Sequence, residues 1–545
     1  MLNSKRVVPF FKIRVFIVFG FFIFLFGLVI IRLFLLQVLR ERFFQRMALQ
    51  QYNVEVTITP PRAQIWDRKG EALTFNRRVK SAFIVPNDLS EKEKTLSFLK
   101  KHYPKAYAHV IKDPKKHFVW VERKVSPANL ELIEKSKIVD IQYIEESQRF
   151  YPYPNLSPVL GFTNIDNLGI SGLELQYNSL LAGIPTLWKI EKDARAKKFY
   201  FSKMLEESGL IGKDLVLTLD IKLQSFASKE LEETIKASGA KEGAVIIMNP
   251  ENGEILAMQS YPFADPNEEI KNLDETKNRI VTECFEFGSV VKAFAALAAL
   301  EAGVVTPEEI IDCEGKATYI DKFRVENWKS VGKLSFSDVI KHSSNVGVAK
   351  VAKRVGEKLY DYYRKLGLGS VTGLKFQGER SGYVNSPDKW TRSSVIVMSF
   401  GYELNGTLLQ IARAFSIIAN GGFDVHPSLV IDKDALKKNE EKERLFSEKA
   451  IIQLKDILQT IGDNYKVEGF RVMGKTGTAR MLDGGHYSKT KHIYTFVGIL
   501  EKGDYKRVVV TFIKEPMKAN LWASEIAAPL FQRIAERMVL YEKLI

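Results

Sequence analysis

The stretch Phe285–Leu297 contains a serine and a lysine at a spacing that suits nucleophilic catalysis. Gly288 and Ser289 end one segment, and an apolar, alanine-rich run begins at once, which predicts a buried helix with Ser289 at or next to its N-cap. Residues i and i+3 lie on one face of a helix, so Lys292 is placed beside Ser289. A hydroxyl held against a buried amine is the minimal arrangement for a serine nucleophile activated by lysine. The alternative is a capping serine followed by a surface lysine.

The Ser-x-x-Lys spacing alone does not identify a nucleophile, because other serines share it. They are Ser97, Ser238, Ser330, Ser386 and Ser488. Among all of them, only Ser289 opens a long apolar helix, and burial in such a helix would desolvate its lysine. Desolvation disfavours an ammonium ion, so a buried Lys292 is expected to be neutral enough to accept the serine proton.

Two further triplets each occur once in the chain and carry polar groups. Ser343-Ser344-Asn345 follows a predicted helix that is capped at Ser335. Lys475-Thr476-Gly477 follows the strand-like run Phe470–Met473. Taken singly, the first triplet is equally compatible with a polar helix end and the second with a turn at a strand edge.

The elements around these motifs predict a sheet with helices packed on it. Two apolar runs flank the turn Pro250–Gly253, and two more, Tyr494–Leu500 and Arg507–Ile513, lie near the C-terminus, so each pair predicts a β-hairpin. Ile221–Ala237 and a final segment from about Ser524 have helical patterns, and the patterns between the hairpins are mostly helical. The expected fold class is α/β (α+β), with an antiparallel sheet flanked by helices.

Composition and charge restrict the class of protein without indicating a reaction. The chain has 545 residues, of which 46% are hydrophobic, and is long enough for several globular domains. Its net charge of +15 favours an anionic partner, but the basic residues are scattered among acids and form no RNA-binding signature, so nucleic acid is not an expected partner. Cys284 and Cys313 are either paired or two buried thiols. Metal-ligand spacing is lacking, and neither a metal nor another cofactor is expected.

An apolar run near the N-terminus predicts a membrane anchor. Val15–Ile31 is uninterrupted, and Leu33–Leu36 extends it to a spanning length if Arg32 snorkels to the interface. A small-x-small cleavage site does not follow, which disfavours a cleaved signal peptide. Four cations without an acid precede the run, so the N-terminus is expected in the cytoplasm and the rest of the chain outside it. These cations are Lys5, Arg6, Lys12 and Arg14.

The region between the anchor and the motifs has a mixed pattern. An alternating strand around Val56 ends at Pro60, and short helices are predicted at Glu91–Lys101 and Pro127–Lys137. Because no nucleophile and base cluster there, we interpret the region as a structural or docking domain. The predicted segments are a cytoplasmic tail at 1–14, a transmembrane anchor at 15–37, a non-catalytic domain at 38–211 and a catalytic domain at 212–545. The catalytic domain is expected to begin with an alternating strand at Gly212–Asp220.

In their order and separation, the three motifs resemble the set of the penicilloyl serine transferases. The resemblance covers about residues 59 to 530 and is closest to class B penicillin-binding proteins, whose pedestal domain opens with a segment similar to Pro61–Gly70. Further stretches resemble later signatures of the pedestal and transpeptidase domains: Arg149–Pro152, Leu160–Phe162, Gly172–Tyr177, Phe400–Tyr402, Thr407–Gln410 and Ala419–Gly422. Glu286 and the Gly172–Glu174 segment are more similar to the septal (cell-division) branch. Phe287 departs from the proline usual in the family, but it removes no reacting group.

The resemblance implies catalytic roles for the first two motifs. Ser289 would attack a carbonyl and form an acyl-enzyme, while Lys292 takes its proton. Ser343 would relay a proton to the leaving amine. Asn345 would hold the substrate amide.

The third motif is implied to bind substrate. Lys475 would supply a fixed positive charge, and Thr476 would bind a terminal carboxylate. Gly477 lacks a side chain, so a substrate could lie along its strand as an added strand. The backbone N–H groups of Ser289 and Thr478 would form the oxyanion hole.

The implied protein is a membrane-anchored peptidoglycan D,D-transpeptidase with an elongated pedestal domain. It would cross-link stem peptides during septal wall synthesis and would be acylated by β-lactams. A glycosyltransferase domain is not evident, so a separate glycosyltransferase and division proteins are expected partners at the plasma (inner) membrane. The alternatives are an elongation-type transpeptidase, a β-lactamase or β-lactam sensor, and a non-catalytic division scaffold.

Overall fold

The computed structural model describes residues 8–44, 53–58, 60–116, 118–192, 199–207, 210–431, 442–517 and 521–543. Its α-helices are Val8–Phe34, Lys92–His102, Pro104–Lys112, Pro127–Ser136, Ser157–Leu160, Gly172–Gln176, Asn178–Leu181, Ile221–Ser238, Arg279–Thr282, Lys292–Glu301, Phe336–Lys341, Asn345–Val355, Lys358–Lys365, Ser394–Met398, Leu408–Ala419, Glu448–Gly462 and Ala523–Tyr541. Its strands are β1 (Asn53–Ile58), β2 (Ile65–Trp66), β3 (Phe75–Ile84), β4 (Val119–Glu122), β5 (Gln142–Phe150), β6 (Thr186–Lys192), β7 (Phe199–Glu207), β8 (Leu215–Val216), β9 (Glu242–Met248), β10 (Ile255–Tyr261), β11 (Ile310–Ile320), β12 (Phe323–Ser335), β13 (Tyr383–Val384), β14 (Leu404–Asn405), β15 (Arg471–Asp483), β16 (His486–Lys502) and β17 (Tyr505–Lys514).

The chain forms two compact units, and the first comprises residues 1–60 and 183–212. Its helix Val8–Phe34 continues as a π-helical turn, and the most apolar 18 residues of the segment Phe11–Leu39 have a mean hydropathy of 2.8. A 29-residue apolar helix is long enough to cross a bilayer, so it is compatible with a single-pass membrane anchor and includes the predicted span 15–37. Residues 1–7 of the predicted cytoplasmic tail lie outside the described residues. The unit also contains the antiparallel sheet β1-β6-β7.

The second unit comprises residues 61–182 and 213–545. Its N-terminal part contains the antiparallel sheet β4-β3-β5, whose buried residues pack against the predicted helices around residues 92–102 and 127–136. Nearby, Glu174 is fully buried and pairs with the guanidinium groups of Arg62 and Arg149. The strand predicted at Gly212–Asp220 is shorter than expected: only β8 forms, because its partner β2 pairs with Leu215 and Val216 alone. Asp220 caps the next helix by accepting from the N–H groups of Lys222 and Leu223.

The C-terminal part of this unit is built on a five-stranded antiparallel sheet in the order β10-β9-β17-β16-β15. Both predicted hairpins are confirmed, as β9–β10 and β16–β17. Alternate residues of β9 belong to different hydrophobic cores: Ile246 packs with the core that includes Lys292–Glu301 and Leu408–Ala419, whereas Val245 packs with Ile221–Ser238 and Ala523–Tyr541. The sheet therefore has helices on both faces, and the middle portions of its interior strands are buried.

The middle of the chain, between the two hairpins, is mostly helical, as predicted, but it contains one element that was not predicted. Strands β11 and β12 form a further antiparallel hairpin over residues 310–335. The available signal was the alternation of Ile311 and Cys313, which are buried, with exposed Asp312. This hairpin lies directly before the helix Phe336–Lys341, whose predicted cap is confirmed because Ser335 Oγ accepts from Asp338 N at 3.1 Å.

Candidate active site

Ser289 lies in a short turn at the start of the buried helix. Gly288–Val291 forms a 3-10 helix and the α-helix begins at Lys292, so Ser289 lies two residues before the N-cap Val291 and not at or next to the N-cap as predicted. Val290 and Val291 are fully buried and hold the turn in the core, while Ser289 is half-buried. The Ser289 side chain thus sits at the edge of a rigid, apolar support.

Lys292 is buried, as the apolar helix predicts. Its side chain is 1% exposed, and Nζ donates to the carbonyl oxygen of Ser343 at 2.6 Å and lies 3.0 Å from Ser343 Oγ. Burial, and secondly the charge of Lys475, lowers the pKa of Lys292 well below its usual value. A neutral amine has a free lone pair, which is what a general base for a serine hydroxyl requires.

Lys475 approaches the same hydroxyl from the third motif. It is 1% exposed, and Nζ lies 3.4 Å from Ser343 Oγ and 3.1 Å from the Thr476 carbonyl oxygen. Burial lowers the pKa of Lys475 to about 7. Its charge is therefore not fixed, contrary to the expectation from sequence: it depends on pH, and an anion bound nearby would favour the protonated form.

The second motif has a backbone turn that presents Ser343 to both amines. Ser343 has φ of +56°, in the left-handed region, and Ser344 caps the following helix by accepting from Gly347 N at 3.0 Å. Asn345 Nδ2 donates to the carbonyl oxygen of Glu326 at 2.7 Å. The Asn345 side chain is thus bonded to the β11–β12 hairpin in this structure.

The third motif packs its glycine against the serine turn. Gly477 lies on β15 opposite Thr495, and a Cβ added there would lie 2.5 Å from Val290 Cγ2 and 2.7 Å from the Phe287 carbonyl oxygen. The absence of a side chain is therefore needed for close contact between the strand and the turn, in addition to any room it leaves for substrate. Half-buried Thr476 and Thr478 flank this contact.

The two residues before Gly288 have defined structural positions. Phe287 is 1% exposed and packs edge-on to Phe285 with ring centroids 6.4 Å apart, so it fills core space where the family usually has proline. Glu286 accepts a hydrogen bond from the Tyr487 hydroxyl at 3.0 Å, and burial raises the pKa of the Glu286 carboxyl. The core thus accommodates a phenylalanine at position 287, where proline is usual in the family.

The structure brings the three motifs together, with Ser343 at the centre. Its hydroxyl is within hydrogen-bond distance of both buried lysines, and the strand of Gly477 contacts the turn of Ser289. Within the described part of the chain, no hydrogen bond links Ser289 Oγ to Lys292. Sequence reasoning missed the contribution of the β11–β12 hairpin, because its residues Glu326 and Trp328 belong to no motif.

Comparison with known proteins identifies the domains around this site. Residues 243–536 match the penicillin binding protein transpeptidase domain, and residues 57–217 match the penicillin-binding protein dimerisation domain. The chain is 32% identical over 505 residues to the peptidoglycan D,D-transpeptidase FtsI of Buchnera aphidicola subsp. Baizongia pistaciae, covering 88% of this chain and 86% of that protein. It is 30% identical over 544 residues to the stage V sporulation protein D of Bacillus subtilis, covering 94% and 84% of the two chains.

A solved structure has the same fold. Penicillin binding protein 3 of Mycobacterium tuberculosis, in complex with aztreonam, superposes with a TM-score of 0.68 at 24% sequence identity, covering 90% of this chain and 97% of that one. Both domain matches and relatives that span most of the chain agree with the arrangement of the motifs. The chain belongs to the class B penicillin-binding proteins.

Proposed function

We propose that this protein is a serine-type peptidoglycan D,D-transpeptidase in which Ser289 is the nucleophile. Relatives of the chain are named peptidoglycan D,D-transpeptidases, and residues 243–536 match the transpeptidase domain of penicillin-binding proteins. The observation that carries the assignment of residues is the pair of buried amines, Lys292 and Lys475, on either side of Ser343 Oγ. Two desolvated lysines converging on one hydroxyl are costly to maintain and are expected where chemistry uses them.

Acylation starts with the neutral amine of Lys292. Ser289 Oγ attacks the carbonyl carbon of the penultimate D-alanine as its proton moves to Lys292 Nζ. The resulting oxyanion is stabilised by the backbone N–H groups of Ser289 and Thr478, where one donor is worth about 2.7–4 kcal/mol. The C–N bond then breaks, and the leaving amine of the terminal D-alanine receives a proton through Ser343 from the lysine pair.

Substrate binding uses the other groups of the two later motifs. The terminal carboxylate of the stem peptide binds Lys475 and Thr476, and its negative charge favours the protonated form of Lys475. Asn345 holds the substrate amide, which requires that its side chain exchange the Glu326 carbonyl for the ligand. The substrate backbone extends along β15 at Gly477.

Transfer completes the cycle with the same groups. The amine of a neighbouring stem peptide attacks the acyl-enzyme carbonyl and forms the cross-link, its proton passes to Lys292, and Ser289 leaves. A β-lactam would follow the first half of this path, with its amide C–N bond opened by Ser289.

The cellular setting is part of the proposal. The apolar helix would anchor the protein in the plasma membrane through residues 15–37, with the N-terminus in the cytoplasm because four cations precede residue 15, and residues 38–211 would form the pedestal. A septal role, with a separate glycosyltransferase and division proteins as partners, is supported by the relatives named FtsI. An elongation-type or developmental role is the second candidate, because a sporulation protein is 30% identical.

The test is acylation of the full-length protein in detergent by a labelled penicillin, followed by intact mass over hours. A long-lived adduct on Ser289 and release of D-alanine from a stem-peptide donor are the expected results. Rapid hydrolysis of the adduct would instead indicate a β-lactamase, and a folded protein without adduct would indicate a scaffold. Ser289→Ala should abolish labelling while unfolding remains cooperative, because this side chain is half-buried and caps no helix.

A further inference from the structure

The β11–β12 hairpin is irregular at the point nearest the second motif. Its ladder pairs Ala317 with Glu326 and then Gly315 with Val331, so residues 327–330 of β12 are opposed by Lys316 alone. Such a bulge interrupts the regular hydrogen bonds of the ladder and redirects side chains. The first residue of the bulge is Asn327.

The side chain of Asn327 connects the bulge to the second motif. Nδ2 donates to the carbonyl oxygens of Cys313 at 3.2 Å and Gly315 at 2.8 Å, on the facing strand. Oδ1 accepts from Ser344 Oγ at 2.9 Å and from Val346 N at 3.2 Å. The residue is 4% exposed, and this one amide uses both donors and both acceptor positions.

The residues on either side of Asn327 make the same connection. Glu326 accepts from Asn345 Nδ2 at 2.7 Å through its carbonyl oxygen, and Trp328 Nε1 donates to the His342 carbonyl oxygen at 2.9 Å. Three consecutive residues of β12 thus bond to the chain on both sides of Ser343.

Ser343 needs such support because its backbone is strained. A serine at φ of +56° occupies the left-handed region, and residues held in sparsely populated backbone regions cost about 1–3 kcal/mol each. Its hydroxyl must also remain within reach of two buried amines, at 3.0 Å and 3.4 Å. Within the triplet, the N–H groups of Ser343 and Ser344 bond back to the carbonyl oxygens of Ile340 and Val339 at 3.2 Å and 2.9 Å, and Ser344 Oγ bonds to its own helix and to Asn327. The β11–β12 hairpin adds to these local bonds through Asn327, which accepts from Ser344 Oγ and Val346 N.

We propose that Asn327 is a positioning residue for the transpeptidase reaction, which holds the left-handed turn of Ser343 in place between the two lysines by joining it to the β11–β12 hairpin. Asn327 does not contact the reacting atoms and acts through Ser344 and Val346. The inference rests on the proposed role of Ser343.

The test is pre-steady-state acylation of the full-length protein by a fluorescent penicillin, which separates the non-covalent dissociation constant K from the acylation rate constant k2. Asn327→Ala is expected to lower k2 at least tenfold and to change K less than threefold, because a displacement of about 1 Å costs on the order of 10²-fold in rate. Its pH profile of k2/K should also shift, since Ser343 Oγ would no longer lie between the two amines.

The matched control is Asn420→Ala. Asn420 is likewise a buried asparagine, 7% exposed, whose amide bonds to the carbonyl oxygens of Pro250 and Phe423 and accepts from Phe423 N, and it contacts none of the three motifs. It should lose thermal stability to a similar extent as Asn327→Ala and retain k2 within threefold. Asn327→Asp provides a second variant: it keeps Oδ1 for Ser344 but turns an oxygen toward two carbonyl oxygens, so k2 should again fall.

The acylation rates of these variants decide the proposal. Folded Asn327→Ala and Asn327→Asp proteins that acylate at the wild-type k2 would overturn it, as would equal losses of k2 in the Asn327 and Asn420 variants. If Asn327→Ala does not fold, Asn327→Asp decides alone. Ser289→Ala is run alongside: continued labelling of that variant would refute the proposed catalytic site, whereas its loss combined with normal Asn327 variants would refute only the positioning role.

Discussion

Replacing Gly477 by alanine would test whether the contact between β15 and the serine turn sets the geometry for acylation. The added Cβ would lie 2.5 Å from Val290 Cγ2 and 2.7 Å from the Phe287 carbonyl oxygen. Restoring ordinary van der Waals contact at 3.4 Å requires movements of roughly 0.7–0.9 Å. One of these atoms is backbone and the other belongs to a fully buried, β-branched side chain, so neither can turn away.

The expected consequence is a large loss of acylation with a moderate loss of stability. Because Val290 and Phe287 flank Ser289, pushing them off the strand shifts the nucleophile relative to Lys475, and a shift near 1 Å costs about 10²-fold in rate. Overpacking of a well-packed site costs about 1–3 kcal/mol in unfolding free energy. We therefore expect k2/K for a labelled penicillin to fall about 100-fold while the protein remains folded.

Gly332→Ala is the matched control for Gly477→Ala. Gly332 also lies in a β-strand at an ordinary φ, but a Cβ added there meets nothing within 4 Å. The two variants are compared by stopped-flow acylation and by urea unfolding of the full-length protein in detergent. Acylation of Gly477→Ala at the rate of Gly332→Ala would refute the reasoning, since it would mean that the turn and strand can separate without affecting the nucleophile.

Three further predictions follow from buried charge. First, k2/K should rise with pH as Lys292 loses its proton, and it should fall again above about pH 7, where Lys475 of the free enzyme loses its charge. If k2/K, measured at constant ionic strength, keeps rising beyond pH 9, about two units above the pKa of Lys475, these roles of the two lysines are contradicted. Second, the pKa of Lys475 is lowered on folding from 10.5 to about 7, so the unfolded chain binds more protons between these values and native stability rises with pH there, the full penalty being present below pH 7. Lys475→Met should accordingly increase the free energy of unfolding by a few kcal/mol at pH 7, with the gain vanishing above pH 10.5, and should abolish acylation. If urea unfolding gives the same gain in stability at pH 7 and above pH 10.5, burial of a charged Lys475 does not destabilise the protein. Third, Glu174→Ala leaves Arg62 and Arg149 buried without their shared carboxylate and should cost about 3–5 kcal/mol, measured by thermal unfolding, with k2 of the folded fraction unchanged; a loss below 1 kcal/mol would show that the pair is not what stabilises this region.

Much of the catalytic fold was predictable because its elements have strong local signals. The apolar runs around Pro250–Gly253 and near the C-terminus predict four strands of the sheet, and the predicted helix Ile221–Ala237 differs from the observed helix by one residue at its end. Periodicity failed where local pattern and tertiary contact disagree. Gly212–Asp220 alternates like a strand, yet most of it is a connection, because only Leu215 and Val216 have a partner strand in β2.

The candidate site, like the fold, could be predicted from the sequence only in part. The types and order of Ser289, Lys292 and Lys475 were readable from the sequence, since each belongs to a motif, and the burial of Lys292 followed from its apolar helix. The hydrogen-bond partners of these side chains could not be predicted from the sequence. Asn327 is a single polar residue in an unremarkable strand, and its four hydrogen bonds depend on a bulge that has no local sequence signal.

Three unfavourable features of the second unit meet at this site. Lys292 and Lys475 are desolvated and repel each other when both are charged, and Ser343 has a left-handed backbone. Each feature lowers stability, and each is what the proposed chemistry needs: a neutral base, a cation that responds to an anion, and a hydroxyl held between them. The fully apolar helix behind Lys292 and the amide of Asn327 compensate for these costs without entering the reaction. Stabilising substitutions at the two lysines should therefore remove activity, whereas stabilising substitutions elsewhere in this unit should leave it intact.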